Sequence, residues 1–191
     1  MTLKLKTAPT TRLFTIDEIK KACDIERTDH DNLLNALIDA ATAYLDGYRG
    51  VLGRAILSQV WELYYDEFPS DALHIPLGPV ISVDSVEYVN LAGSYVTWTK
   101  SGNYEVDLAS VEAWIKPVVT WPTPMSTMNA VRVTFTAGHA ASDPVLASIK
   151  QAVALLVRHW YDNGSAASEM KMEELPFAVS AIIAPLRRNI V

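Results

Sequence analysis

The sequence predicts an α+β fold, in which a mainly helical frame contains an inserted small antiparallel β-sheet block. Two observations support this prediction. Residues 30–49 and 144–161 repeat apolar side chains at helical spacing, whereas residues 55–137 contain short segments in which apolar and polar side chains alternate, as in strands. Because the strand-like segments form one block between the helices, their order favours α+β over a parallel α/β sheet.

The N-terminal residues predict a tail and a first short helix. Residues 1–14 form the expected tail, which carries three bases and no acid and should become ordered on contact with a partner. Thr15 and Glu18 have the spacing of a capping box, in which each side chain accepts a hydrogen bond from a free backbone N–H at a helix start. A helix of about 16–23 is therefore expected.

The second helix has the clearest helical pattern in the chain. Its apolar side chains recur at three- and four-residue intervals over about 30–49. Thr28 or Asp29 should cap its start, since both side chains can accept from the first turn. Gly50 should end it as a left-handed residue.

The central block predicts five or six short strands, joined mainly by hairpins. Apolar side chains alternate with polar ones most clearly around Trp61–Tyr65 and Val131–Thr136. Three prolines make residues 117–129 an extended loop. The remaining expected strands lie at Val80–Val89, Tyr95–Thr99, Tyr104–Asp107 and Trp114–Ile115.

The C-terminal part predicts a long helix, a mobile linker and a short final helix. The long helix covers about 144–161 and ends at Gly164, so residues 15–164 form one expected domain. Residues 165–191 should comprise the mobile linker and a terminal segment that opens its helix at Pro176. The expected buried stripe of the long helix consists of Ile149, Ala152, Val153, Leu156 and Trp160.

Length and composition indicate a protein with a sizeable core. The 191 residues are 50% hydrophobic and 20% charged, which excludes a wholly disordered chain. The longest aliphatic run, Ala152–Val157, is far too short to span a bilayer, and the N-terminus lacks the apolar core of a signal peptide. We therefore expect no membrane partner. The net charge of −6 argues against a dedicated nucleic-acid binder, because such proteins need a basic face.

No catalytic, cofactor or metal motif is found in the sequence. The nucleophile elbow, the phosphate-binding loop, the dinucleotide fingerprint and the H-E-x-x-H zinc motif are all missing from it. His159 and Asp162 are the best candidate metal pair. Two candidate ligands without a third are a weak metal signal, and a partly exposed His beside a helix C-terminus is the favoured interpretation. Cys23 is more typical of a small core residue than of a reactive thiol. The sequence predicts no enzyme and no cofactor.

Other chemically active side chains also favour structural roles. Adjacent Asp66 and Glu67 would point to opposite faces of a strand, so they cannot form a carboxylate dyad there. Asp29 and Asp31, which flank His30, suit a helix N-terminus. The aromatic side chains of Trp61, Tyr64 and Tyr65 could stack on nucleic-acid bases. No Lys or Arg alternates with them in that segment, however, which favours packing in the core or between subunits.

Several segments together resemble the head–tail connector, or adaptor, proteins of long-tailed bacteriophages. No single segment is diagnostic, but their order and spacing match the family from about residue 15 onward. The segments are Ile16–Lys20, Asp31–Gly50, Ala55–Leu63, Ile75–Tyr88, Asn129–Gly138, Ile149–Tyr161, Glu174–Phe177 and Ile182–Pro185. The sequence departs from the family at Ala178, where glycine is common, and at Leu186, where an aromatic residue is common.

The resemblance implies a structural protein of the virion neck, assembled in the host cytoplasm. Its partners would be other copies in a ring, twelve-fold in the virion, the portal protein above, and a head-closure, stopper or tail-completion protein below. DNA would pass through the channel without specific binding, and an acidic body suits such a conduit because it repels phosphates. Two alternatives stay open: a neighbouring tail-completion or stopper protein, and a small hydrolase with an unfamiliar site.

The resemblance also implies that the C-terminal segment docks on the portal. An apolar stripe there is followed by two arginines, which could pair with acidic groups of the portal. A short helix is marginal alone in water, so the segment must pack on something, and packing on its own subunit is the alternative. The candidate docking residues are Phe177, Ile182, Ile183, Leu186, Arg187 and Arg188.

Overall fold

The computed structural model describes residues 1–110, 112–163 and 176–188. Helices and strands occur in nearly equal amounts in this part of the chain. The helices are α1 (Ile16–Cys23), α2 (Asp31–Leu45), α3 (Val145–Asn163) and α4 (Phe177–Ile183), and a 3₁₀ turn follows at Ala184–Leu186. The strands are β1 (Thr2–Thr7), β2 (Gln59–Tyr65), β3 (Leu73–Ile75), β4 (Val80–Val89), β5 (Tyr95–Thr97), β6 (Tyr104–Asp107), β7 (Ala113–Pro117) and β8 (Val131–Ala137).

The chain divides into two compact units. The β unit comprises Met1–Pro9 and Leu57–His139 and contains all eight strands of the described residues. The helical unit comprises Thr10–Ile56 and the described residues from Ala140 onward. Strands and helices are therefore segregated, and the β unit takes its first strand from the extreme N-terminus.

The β unit contains two antiparallel sheets. The first has five strands in the order β1-β2-β8-β4-β5, and the second has three in the order β3-β7-β6. In the five-stranded sheet, register places Trp61 opposite Phe135 and Leu63 opposite Val133, so these apolar side chains share one face. The fully buried side chains of the unit include Leu63, Leu73, Ile75, Ile115, Val133 and Phe135.

An aromatic cluster joins the two sheets and their loops. Phe68 stacks on Trp121 at a centroid distance of 4.5 Å, and Trp98 lies 4.9 Å from Trp121. Trp98 follows β5 and stacks at 5.3 Å on Tyr104, the first residue of β6 in the other sheet. The Trp121 indole N–H donates to the Asp71 carbonyl at 2.9 Å, which fixes the proline-rich loop against the β2–β3 connection.

In the helical unit, α1 starts as the sequence predicts and α2 does not. The Thr15–Glu18 capping box is confirmed, with Glu18 N donating to Thr15 Oγ1 at 3.2 Å and Thr15 N to Glu18 Oε2 at 2.8 Å. The predicted cap of α2 is wrong, because its N-cap is His30, without a side-chain bond. Asp29 instead pairs with Arg27, 2.7 Å away.

The second helix also ends earlier than the predicted residue 49. After Leu45 the chain folds back, because Asp46 Oδ1 accepts from Ile56 N at 2.6 Å and Gly47 N donates to the Arg54 carbonyl at 2.7 Å. The prediction that Gly50 is left-handed is wrong, because its φ is not positive. Glycine is required there for a close approach, since a Cβ would lie 2.1 Å from the Asp46 carbonyl oxygen.

The predicted mainly helical frame with one small β block is wrong. The strands form two antiparallel sheets and contain almost as many residues as the helices. β1 lies in the segment expected to be a tail, and the three residues of β3 were not predicted as a strand. β1 does alternate Leu3 and Leu5 with Lys4 and Lys6, which is a strand signal, whereas the three residues of β3 are too few to show a period.

The long helix α3 buries most of its predicted stripe. Ile149, Ala152, Val153 and Leu156 are buried, but Trp160 is half-buried and packs edge-on against Tyr44 at 6.3 Å. The expected end at Gly164 and the mobile linker at 165–174 lie outside the described residues. Within the described ranges, no helix is both long and apolar enough to cross a membrane.

Candidate partner interface

The helix of the C-terminal segment, α4, buries two residues against its own unit. Val179 and Ile183 lie four positions apart on α4, so they share one side of the helix, and they are 0% and 1% exposed. This side lies against α3. Because a seven-residue helix is unstable alone in water, this packing keeps it folded.

The two arginines hold the end of the segment on the turn that follows α2. Arg188 N donates to the Leu52 carbonyl at 2.9 Å, and Arg187 Nε donates to the Val51 carbonyl at 3.2 Å. The Arg188 guanidinium also lies 6.0 Å from the centre of the Tyr48 ring. These contacts are internal to the helical unit, so both arginines have structural roles besides any contact with a partner.

The six candidate residues therefore divide between buried and accessible positions. Ile183 is buried, Ile182, Leu186 and Arg188 are partly exposed, and Arg187 is exposed. Phe177 is 89% exposed, the largest exposure of any large apolar side chain described. Sequence reasoning missed Val179, although its spacing of four from Ile183 was the available signal.

The candidate thiol is a core residue of the helical unit. Cys23 is 5% exposed, and its Sγ lies 3.4 Å from the Ala154 carbonyl oxygen. Burial raises the pKa of the Cys23 thiol, which disfavours the reactive thiolate. Arg158 donates to the Cys23 carbonyl, and this contact ties α1 to α3.

The candidate metal pair is not brought together. His159 Nδ1 lies 3.1 Å from the Asn163 side-chain amide, whereas Asp162 accepts from Arg158 at 2.7 Å. Among the described residues, no group of three or more His, Cys, Asp or Glu side chains could hold a metal ion.

The other histidines and acids have separate local partners. His30 Nδ1 lies 2.7 Å from the Tyr161 hydroxyl, and His74 pairs with Glu112 and stacks on Trp114. His139 is buried just after β8. Asp31 pairs with Lys20, and Asp66 accepts from the Asn129 backbone N–H at 2.7 Å.

A polar network lies on the face of the five-stranded sheet opposite its core. Tyr64 donates to Glu62 at 2.6 Å, and Lys6 pairs with Glu62 at 3.0 Å. The Tyr64 hydrogen bond and the Lys6 charge lower the pKa of Glu62 despite its burial. Arg132 pairs with Glu87 at 2.9 Å, and that hydrogen bond raises the pKa of Arg132. Each charge is compensated within the sheet, so the network is structural.

The fold is shared with chains of phage-like particles. A chain from the virion of a native gene transfer agent (GTA) particle has a TM-score of 0.77 and 24% sequence identity, covering 100% of this chain and 97% of that chain. A chain from the neck of an empty GTA particle, computed with C6 symmetry, has a TM-score of 0.76, with the same identity and coverage. A chain from the neck of the native particle, computed with C12 symmetry, has a TM-score of 0.64, again at 24% identity with 100% and 97% coverage. The likeness to these chains shows a shared fold.

The sequence also identifies the family. The profile of the head completion protein family matches residues 12–188, and the chain belongs to this family. The expected relationship to phage head–tail neck proteins is confirmed at the level of the family. A comparison with curated protein sequences gives no significant match.

Proposed function

We propose that this protein is a structural component of the head–tail neck of a phage-like particle, where it acts as an adaptor rather than an enzyme. The observation that carries the proposal is family membership over residues 12–188, together with a fold shared along the whole chain with a chain from a GTA neck. The side chains of the described residues agree with a structural role, because the candidate catalytic groups have separate structural partners.

In this proposal, copies of the chain form a ring beneath the portal. The related neck chains come from particles computed with C6 and C12 symmetry, which supports a cyclic arrangement with twelve copies. Ring subunits meet through two different surfaces, and such heterologous contacts close when the rotation allows. The ring would extend the DNA channel and offer a platform to the next neck or tail protein.

The C-terminal segment is the proposed portal-binding part. Val179 and Ile183 hold α4 on its own unit, so the contact would be made by Phe177, with Ile182, Leu186 and the arginines around it. An exposed aromatic side chain is a frequent anchor of protein interfaces. In this proposal the segment both packs on its own subunit and binds the portal, the two roles that the sequence left as alternatives.

The neck assignment is tested by deleting the gene and imaging the particles. We expect heads whose portal carries no added density, and we expect purified protein to restore the density. Neck density that persists below the portal without this chain would overturn the adaptor assignment and favour a stopper or tail-completion protein.

The docking assignment is tested with Phe177→Asp. The variant should keep its melting temperature, because the side chain is exposed, but should lose co-sedimentation with portal-bearing heads. Leu33→Asp is the matched control, since Leu33 is 48% exposed on α2 in the same unit. Normal co-sedimentation of Phe177→Asp would exclude the side chain as the anchor.

A further inference from the structure

One end of the five-stranded sheet collects four exposed apolar side chains, which we call the apolar end. Leu91 and Met128 are 85% and 83% exposed, and Tyr95 and Met125 are each 39% exposed. Single exposed apolar residues are normal on protein surfaces, but a cluster of them marks an interaction site.

The strand register brings these residues to the same end. Tyr65 at the end of β2 pairs with Val131 at the start of β8, and Val89 at the end of β4 pairs with Tyr95 at the start of β5. The loops that follow β2 and β4 and precede β5 and β8 therefore lie at the same end of the sheet. Residues 57 and 139 lie at the opposite end of the strands, and they are the boundaries of the β unit along the chain.

Hydrogen bonds fix the apolar end in place. The Leu91 turn is held by Asn90, whose Oδ1 accepts from Ala92 N at 2.9 Å and from Ser94 N at 3.1 Å. The Met125 backbone N–H donates to the Val89 carbonyl at 2.8 Å.

The loop beyond Met128 is fixed in the same way. The Tyr95 hydroxyl donates to the Asn129 carbonyl at 2.6 Å, and Asn129 N donates to Asp66. A surface whose backbone is already ordered loses little entropy on binding, which favours affinity.

An acidic groove adjoins the exposed apolar side chains. The groove has a volume of about 570 Å³, and its lining includes Asp66, Glu67, Met125 and Met128. It can accept apolar side chains together with a basic group. Methionine suits such a surface, because its flexible thioether adapts to different partners.

We propose that the apolar end binds an apolar segment bearing Lys or Arg, from the protein that joins the neck after this chain. Charge complementarity with Asp66 and Glu67 favours the basic group. Symmetric pairing of two copies through this end is disfavoured, because it would bring both acidic pairs together. The inference rests on the proposed neck function, in which the C-terminal segment faces the portal and a ring repeats the apolar end for multivalent contact.

The test uses the full chain with Leu91→Asp and Met128→Asp combined. Both side chains are exposed, so the variant should fold and join portal-bearing heads normally. Those heads should then join purified tails at least about tenfold less often than wild type, as expected for the loss of central anchors. The matched control combines Ile81→Asp and Leu108→Asp, which are 47% and 43% exposed in the same unit, and it should join tails normally.

The outcomes separate this inference from the proposed function. Normal tail joining by the Leu91/Met128 variant would overturn the apolar end as a docking site and leave the neck function intact. If wild-type protein never associates with heads, the proposed neck function itself is contradicted.

A cross-linking experiment identifies the occupant. Met128→Cys, labelled with a photoreactive maleimide, should cross-link in completed particles to a chain other than this one. Cross-links to a second copy alone would overturn the proposal, because the apolar end would then be a ring contact.

A charge change tests the role of the groove. Glu67→Lys should slow tail joining several-fold at low salt, and the difference should shrink as salt rises, since screening weakens exposed charge interactions. A variant that joins tails faster would show that the partner segment is acidic.

Discussion

At the residue scale, Glu62 shows how a carboxylate can be buried in a sheet without a catalytic purpose. It is 8% exposed, yet Tyr64 and Lys6 both bind its oxygens. Because a hydrogen bond and an opposite charge both favour ionisation, the pKa of Glu62 lies below its usual value. A folded-state pKa below the unfolded value of about 4.3 stabilises the protein above that pH, and the stabilisation is lost as the pH falls through the folded pKa.

We therefore predict a pH-dependent effect of Glu62→Gln. At pH 7 the variant should lower the free energy of unfolding by on the order of 1 kcal/mol, the usual value of a lost hydrogen bond. Near pH 3 the difference should shrink, because the carboxyl of the unfolded chain, with a pKa of about 4.3, is then protonated and the advantage of the lowered folded-state pKa is being lost. Urea unfolding at both pH values measures it, with exposed Glu26→Gln as the control. An equal effect at both values would show that Glu62 acts by shape alone.

Cys23 gives a second prediction at this scale. Because burial raises the pKa of its thiol, a disulfide reagent should modify the native protein at pH 8 at least about tenfold more slowly than the urea-unfolded chain. Met128→Cys provides an exposed thiol for comparison and should react quickly in the native state. Equal rates for native and unfolded wild type would place Cys23 at an open site.

At the scale of elements, α3 distinguishes full burial from partial burial on one helix. Leu156 is 1% exposed, whereas Trp160 is half-buried. We predict that Leu156→Ala costs about 2–5 kcal/mol of unfolding free energy, because it leaves a cavity. Trp160→Ala should cost less, roughly 1–3 kcal/mol, despite the larger side chain. Thermal and urea melts compare the two, and a larger cost for Trp160→Ala would mean that the indole is a main core contact.

The individual elements also show why the prediction from periodicity underestimated the number of residues in strands. α3 has a long apolar stripe that repeats every three to four residues, and α1 begins at a capping box, so local sequence defines both helices. β3 has only three residues and forms because β7 pairs with it. β1, by contrast, alternates Leu3 and Leu5 with Lys4 and Lys6, which is itself a strand signal. Its backbone pairs with β2 from Thr2 opposite Tyr64 to Thr7 opposite Val60.

At the scale of the whole molecule, net charge bears on the relation to DNA. The chain carries 22 acids against 16 lysines and arginines. We predict that duplex DNA binds more weakly than about 1 μM at physiological salt, because few phosphate counterions can be released. Fluorescence anisotropy of labelled duplex measures this, and Lys4→Glu should abolish any residual binding by the basic N-terminus. Tight binding that falls steeply with salt would contradict the conduit role.

The sequence by itself determined the helical stripes, the capping box at Thr15, the central strands β2, β4 and β8, and the family. These features depend on neighbouring residues or on the order of segments, and both can be read along the chain. The candidate docking stripe was also visible, because its apolar spacing is local.

Only the tertiary structure decided which side of that stripe is buried and where the remaining surfaces lie. Ile183 is buried because α3 lies beside it, and Phe177 is exposed because no described residue covers it. The apolar end unites Leu91 and Tyr95 with Met125 and Met128, two segments that are distant in sequence and meet only through strand register. Contacts between distant residues depend on how the strands and helices pair and pack, and local periodicity carries no information about that pairing.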